Sequence, residues 1–150
     1  MNYLKLSIGI LFSLSFHFVE CQEKNSFDLE LYFNRTLSDA DRILIKGNIY
    51  NYSQELHATP NNAKLYVNRG VQYALLGLYP DAIGDYNKAV KLDSTIAEAY
   101  YNRGIAKARF AYTKGSCIDV RKSALLGLPQ GKNLYNNKCE MFKNELGELP

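Results

Sequence analysis

The sequence contains few of the residues that catalysis uses. Two of its 150 residues are histidines, and His17 lies in an apolar stretch near the start, which leaves His57 as the histidine of chemical interest. The sequence has no HExxH, no GxSxG and no phosphate-binding glycine loop. We therefore expect no catalytic residues, no metal site, no cofactor and no small-molecule substrate.

An excess of charge of one sign is also lacking. The 18 lysine and arginine residues against 15 aspartate and glutamate residues give a net charge of +3, without a basic stripe. Proteins that bind nucleic acid neutralise phosphates with clustered basic side chains. We expect no nucleic-acid partner, and the 47% of hydrophobic residues is typical of a globular protein.

The apolar run near the start is short for a membrane span. Residues 6–19 form a mostly apolar run of about 14 residues after the charged Lys5, whereas a spanning helix needs ~20. A charged start followed by a short apolar run is typical of a secretory signal. We predict a signal peptide over residues 1–21 and a flexible lead-in over residues 22–28.

The end of this signal permits two interpretations. Cleavage after Cys21 would leave Val19 at the third position before the cut and Gln22 as the first mature residue. Alternatively, Cys21 becomes the lipidated first residue of a bacterial lipoprotein. Glu20 fits the lipoprotein cleavage motif poorly, because the residue before the cysteine is normally small and neutral. We favour simple cleavage and predict an exported protein, periplasmic or secreted, with a lipid anchor at Cys21 as the alternative.

Three short segments recur at a constant spacing. They read LYFNR at 31–35, LYVNR at 65–69 and AYYNR at 99–103, so that Tyr32, Tyr66 and Tyr100 lie 34 residues apart. Such a period indicates an array of helical repeats that share one continuous core. The phase gives units at 29–62, 63–96 and 97–130 and a remainder at 131–150.

The middle unit has the clearest pattern. Its first half, residues 63–76, has apolar residues at helical spacings, and Gly77 and Pro80 then predict a break and a new helix start. The second half presents an apolar face and a charged face. The unit is therefore predicted to be helix, turn, helix.

This unit resembles the tetratricopeptide repeat (TPR) family. The positions that carry the resemblance are Tyr66, Gly70, Tyr73, Ala82, Tyr86 and Ala89. The resemblance implies an all-α, right-handed solenoid of helical hairpins with about seven helices. It implies a degenerate first unit at 29–62, in which Thr36, Asn48 and Glu55 replace small residues, and a capping helix and tail at 131–150.

Residues 106–127 and Cys139 resemble the last repeat of small exported TPR proteins of Bacteroidetes-type bacteria. Removal of residues 1–21 would leave two cysteines, Cys117 and Cys139. In an oxidising compartment such a pair favours a disulfide, and two buried, unpaired thiols are the alternative. The resemblance strengthens the disulfide interpretation.

The resemblance also implies a concave groove lined by the first helix of each unit. The predicted groove residues are Phe33, Asn34, Lys64, Val67, Asn68, Val71, Tyr101, Asn102, Ile105 and Arg109. Asn34, Asn68 and Asn102 would form a ladder one repeat apart. Since a primary amide both donates and accepts hydrogen bonds, such a ladder can hold an extended peptide by its main chain. The alternative is that these amides bond local backbone or water.

Two classes of function follow. The first is a non-enzymatic protein-interaction module that binds an extended peptide or a partner helix in the groove. The second is a structural assembly or tethering subunit that binds through its edge or its capping helix, with a lipid anchor if Cys21 is acylated. Both predict a protein or peptide partner.

Overall fold

The computed structural model describes residues 37–150, and the predicted groove residues Phe33 and Asn34 lie outside this range. The described residues form seven α-helices, one 3-10 turn and no strand, so the all-α class is confirmed. The helices are α1 (Asp39–Ala58), α2 (Ala63–Leu75), α3 (Tyr79–Leu92), α4 (Ala97–Phe110), α5 (Lys114–Leu125), α6 (Pro129–Lys138) and α7 (Lys143–Leu146), with the 3-10 turn Glu140–Phe142 before α7.

Helices α1 to α6 each pack mainly on their sequence neighbours, and α2 also contacts α4. This pattern of nearest-neighbour contacts is that of a TPR-like helical solenoid. None of the helices within residues 37–150 is long and apolar enough to cross a membrane.

Helix α1 is a single helix where the repeat phase would place a turn. In the middle unit the turn lies at residues 76–78, and the equivalent residues 42–44 lie inside α1. They contain neither glycine nor proline, and Ser38 starts the helix with a capping box shared with Asp41. The division of residues 29–62 into a degenerate helical pair stays a prediction, because residues 29–36 lie outside the described range.

The turns before α3 and before α6 are alike. Both contain the pentapeptide ALLGL. Gly77 has φ 76° and Gly127 has φ 91°, a backbone conformation that favours glycine. In both turns the N–H after the glycine bonds back, from Leu78 to the Tyr73 carbonyl at 2.9 Å and from Leu128 to the Ser123 carbonyl at 3.1 Å. Helix α6 consequently begins at Pro129, two residues before the boundary at 131 that the repeat phase predicts.

Two apolar clusters hold the stack together. The first lies between α2, α3 and α4 and contains Val67, Ala82, Tyr86, Ala89, Ala99 and Ala106. The second lies at the end of the stack and contains Cys117, Val120, Tyr135 and Cys139. Small residues let the helices approach: a Cβ added at Gly70 would lie 2.7 Å from the Tyr86 ring.

The capping helix predicted within residues 131–150 corresponds to α6, which begins at Pro129 and ends at Lys138. The chain then makes the 3-10 turn, where Met141 is 71% exposed. Two long-range contacts hold the chain at this break. The sulfur atoms of Cys117 and Cys139 lie at bonding distance, 2.07 Å, and the Tyr112 hydroxyl donates a hydrogen bond to the Lys138 carbonyl.

Candidate peptide-binding surface

Eight of the ten predicted groove residues lie on α2 and α4, two helices that contact each other. Lys64, Asn68 and Arg109 are exposed, and Val71, Tyr101, Asn102 and Ile105 are half-buried. Val67 does not fit the prediction, because only 8% of its surface is exposed and it packs in the first apolar cluster. We call the other seven residues the α2–α4 surface.

Asn68 and Asn102 hold the same place in two successive units. Within residues 37–150 neither side-chain amide makes a hydrogen bond, and Asn68 is exposed while Asn102 is half-buried. Each amide can donate two hydrogen bonds and accept two. Their hydrogen-bonding capacity is thus open to water or to a ligand.

The residue after each asparagine is an arginine that links three helices. Arg69 on α2 donates from Nε and Nη2 to the two carboxylate oxygens of Asp85 on α3, at 2.8 and 2.7 Å. Its Nη1 donates to the Ser53 hydroxyl on α1 at 3.1 Å. This fork geometry fixes the orientation of the guanidinium as well as its position.

The same arrangement recurs one repeat later. Arg103 on α4 donates to the carboxylate oxygens of Asp119 on α5 at 2.8 and 2.6 Å, and its Nη1 donates to the Asn87 amide oxygen on α3 at 2.9 Å. Lys107 adds a second ion pair to Asp119 at 2.8 Å. We call each three-helix arrangement an arginine clamp.

Aromatic rings complete the clamps. The Arg69 guanidinium carbon lies 5.6 Å from the Tyr66 ring centroid and 5.9 Å from that of Tyr73. Arg103 lies 5.3 Å from the ring centroid of Tyr100. Cations are attracted to ring faces at such distances. The hydrogen bond to Asp85 raises the pKa of Arg69, so this guanidinium stays charged.

Sequence reasoning missed these arginines, although their signal was present. Arg69 and Arg103 are the last residues of the recurring segments LYVNR and AYYNR. In both units an aspartate follows 16 residues later. A fixed offset between a cation and an anion, repeated with the period of the array, is what a recurrent ion pair requires. The clamps fix α2 and α4 against their neighbours and thereby position Asn68 and Asn102.

Residues 72–109 match the family model described as TPR repeat. The match covers the end of α2, all of α3 and most of α4, including Asn102 and Arg103. It supports the TPR family, whose repeats generally mediate protein–protein interaction and whose members are typically not enzymes. No curated protein is significantly similar to the sequence.

The family model describes TPR repeats in general and does not distinguish the exported Bacteroidetes-type proteins. The resemblance to those proteins therefore stays a prediction. The described part of the chain, residues 37–150, holds no group of three or more His, Cys, Asp or Glu side chains that could bind a metal ion.

Proposed function

We propose that the chain is a non-enzymatic protein-interaction module that holds an extended peptide segment of a partner on the α2–α4 surface. The observation that carries this proposal is the pair of amides, Asn68 and Asn102, which lie at equivalent places and make no hydrogen bond within residues 37–150. An extended peptide offers main-chain donors and acceptors at regular intervals, which such amides can bind without reading its side chains.

The side chains around the amides indicate which peptides fit best. Val71 and Ile105 are half-buried, so each keeps some apolar surface for contact, and Lys64 is an exposed cation at one edge. We propose that the preferred segment has apolar side chains in its centre and an acidic residue at one end. Apolar burial would then supply affinity, and the charges would supply orientation.

The test uses a displayed library of random linear peptides selected on the wild-type chain. The double variant Asn68→Ala, Asn102→Ala should bind the selected peptides about 10- to 100-fold more weakly, since two net hydrogen bonds are lost at about 1 kcal/mol each. The matched control is Asn136→Ala, Asn144→Ala, which changes two exposed asparagines outside the surface and should bind as the wild type does. Equal affinity of the Asn68, Asn102 variant would overturn the proposal.

We also propose that the protein is exported after removal of residues 1–21 and that Cys117 and Cys139 pair in the mature chain. Both residues are buried in the second apolar cluster, which supports this pairing. Mass spectrometry should find Gln22 at the start of the exported protein, and an acylated Cys21 would contradict simple cleavage. Alkylation without reductant should leave both cysteines unmodified, and full labelling would exclude the disulfide.

A further inference from the structure

We propose that Tyr112 is a lid over the disulfide of Cys117 and Cys139, which keeps thiol reductants away from both sulfur atoms. The folded protein then retains its disulfide in the presence of thiols and loses it only when the end of the stack unfolds. This inference rests on the cysteine pairing proposed above, which alkylation without reductant tests separately.

Tyr112 lies between the two cysteines and the solvent. It belongs to the turn between α4 and α5, and its hydroxyl oxygen is 3.5 Å from Cys117 Sγ and 3.8 Å from Cys139 Sγ. Tyr112 is 47% exposed, whereas each cysteine is 1% exposed. A side chain that contacts both sulfur atoms at one end and meets solvent at the other covers them on that side.

Two contacts hold the lid in this position. The Tyr112 hydroxyl donates a hydrogen bond to the carbonyl of Lys138, the residue before Cys139, and the ring centroids of Tyr112 and Phe142 are 6.4 Å apart. Burial raises the pKa of Tyr112, so the hydroxyl keeps its proton and its hydrogen bond at pH ~8, where thiol reductants act. The lid is therefore closed under the conditions of a reduction experiment.

The remaining side chains around the disulfide are less exposed than Tyr112. Val120 and Tyr135 are buried with the two cysteines in the second apolar cluster, and Leu146 and Leu149 are half-buried where they pack against it. Since Tyr112 is the most exposed of these side chains, we expect its side to be the shortest approach to the sulfur atoms.

Reduction of a disulfide needs direct access to sulfur. A thiolate of a dithiol reductant attacks one sulfur atom, which forms a mixed disulfide and releases the other cysteine as a thiolate that takes up a proton. The second thiol of the reductant then displaces the remaining cysteine, and the reductant leaves as a cyclic disulfide. The protein gains two electrons and two protons in total. A lid that blocks the first attack blocks the whole sequence.

The test follows reduction of the mature protein by dithiothreitol at urea concentrations below the unfolding transition, with free thiols alkylated and counted by mass spectrometry. In the wild type the rate should rise with urea along the slope of global unfolding, because the stack must open first. In Tyr112→Ala the reductant reaches the folded protein, so without urea the rate should be about 10-fold higher or more and should hardly depend on urea.

Two further variants serve as controls. Tyr50→Ala removes a tyrosine ring that is 64% exposed on α1 and should leave the rate and its urea slope unchanged. Tyr112→Phe keeps the ring but lacks the hydrogen bond to Lys138, and its rate should lie between those of the wild type and Tyr112→Ala. Equal rates of Tyr112→Phe and the wild type would overturn the contribution of the hydrogen bond.

Three results would overturn the lid itself. The first is a wild-type rate that does not depend on urea, because the reductant would then already reach the folded protein. The second is a wild-type rate in Tyr112→Ala. The third is a higher rate in Tyr112→Ala with the wild-type urea slope, which would show that the substitution only destabilises the fold.

Discussion

Replacement of Gly104 by alanine tests the contact between α4 and α5 directly. The added Cβ would lie 2.8 Å from Val120 Cγ2, 2.9 Å from the Ser116 carbonyl oxygen and 3.2 Å from the Val120 nitrogen. The Val120 side chain can rotate, but the two backbone atoms can yield only if α5 moves. Since α5 also carries Asp119 of the second arginine clamp, such a movement would strain that clamp as well.

The expected magnitude combines two opposing effects. Overpacking of a tight interior site costs about 1–3 kcal/mol, whereas alanine is favoured over glycine in a helix by about 1 kcal/mol. Gly84→Ala is the matched control, because Gly84 lies exposed in α3 and a Cβ there would meet nothing within 4 Å. The helix preference cancels between the two variants, which should therefore differ by about 1–3 kcal/mol or more in their free energy of unfolding.

Urea unfolding followed by circular dichroism measures this difference, with both variants in the same oxidised state. The slope against urea should be unchanged, so that a shifted midpoint reports stability alone. Gly84→Ala should be more stable than the wild type, and Gly104→Ala clearly less stable than Gly84→Ala. If the two variants unfold at the same urea concentration, α4 and α5 do not approach as described and the repeat phase of the third unit is wrong.

Three further predictions concern ionisable groups. Asp119→Ala should cost about 3 kcal/mol or more in urea unfolding, because the carboxylate is 4% exposed and its loss leaves Arg103 and Lys107 without their partner; a loss below about 1 kcal/mol would contradict this. Asn51→Asp places an aspartate 16 residues after the arginine of the LYFNR segment, the offset of the acid in both arginine clamps. If residues 29–62 form a repeat, this change should raise stability by about 0.5–1 kcal/mol, and no gain would count against that repeat. Burial raises the pKa of Tyr86, so the native state keeps the hydroxyl proton above pH ~10, where the unfolded state loses it. The free energy of unfolding therefore falls as the pH rises through this range. Tyr86→Phe should reduce the fall between pH ~9 and ~11, and a pH profile identical to that of the wild type would refute this assignment.

The repeat architecture could be predicted from the sequence because its signals are local and periodic. Gly70 and Gly104 lie 34 residues apart, and Gly77 marks a turn that the structure contains. The burial of Val67 could not be predicted in this way. Periodicity identifies a face of a helix, but the neighbouring helices decide how far that face is buried, and here they bury Val67 in the core.

The end of the chain could not be predicted in the same way. At the break after Lys138 the chain contacts Cys117 and Tyr112, which lie more than 20 residues earlier, and no local pattern of residues 131–150 indicates these contacts. The same applies to the main-chain contacts of residues 146–150, such as the hydrogen bond from the Tyr135 hydroxyl to the Gly147 carbonyl, because every residue has a carbonyl group and the sequence does not show which one is used. The arginine clamps lie between these cases, since their residues are distant in sequence but recur with the period of the array.

The arginine clamps also bear on how the stack unfolds. Arrays of helical repeats can lose their units one at a time, when the coupling between neighbours is weak compared with the stability of each unit. Here Arg69 connects α2 to both α1 and α3, and Arg103 connects α4 to both α3 and α5. Opening either unit breaks contacts that belong to the next, so amide hydrogen exchange in α2 to α5 should occur through one cooperative opening rather than through separate steps.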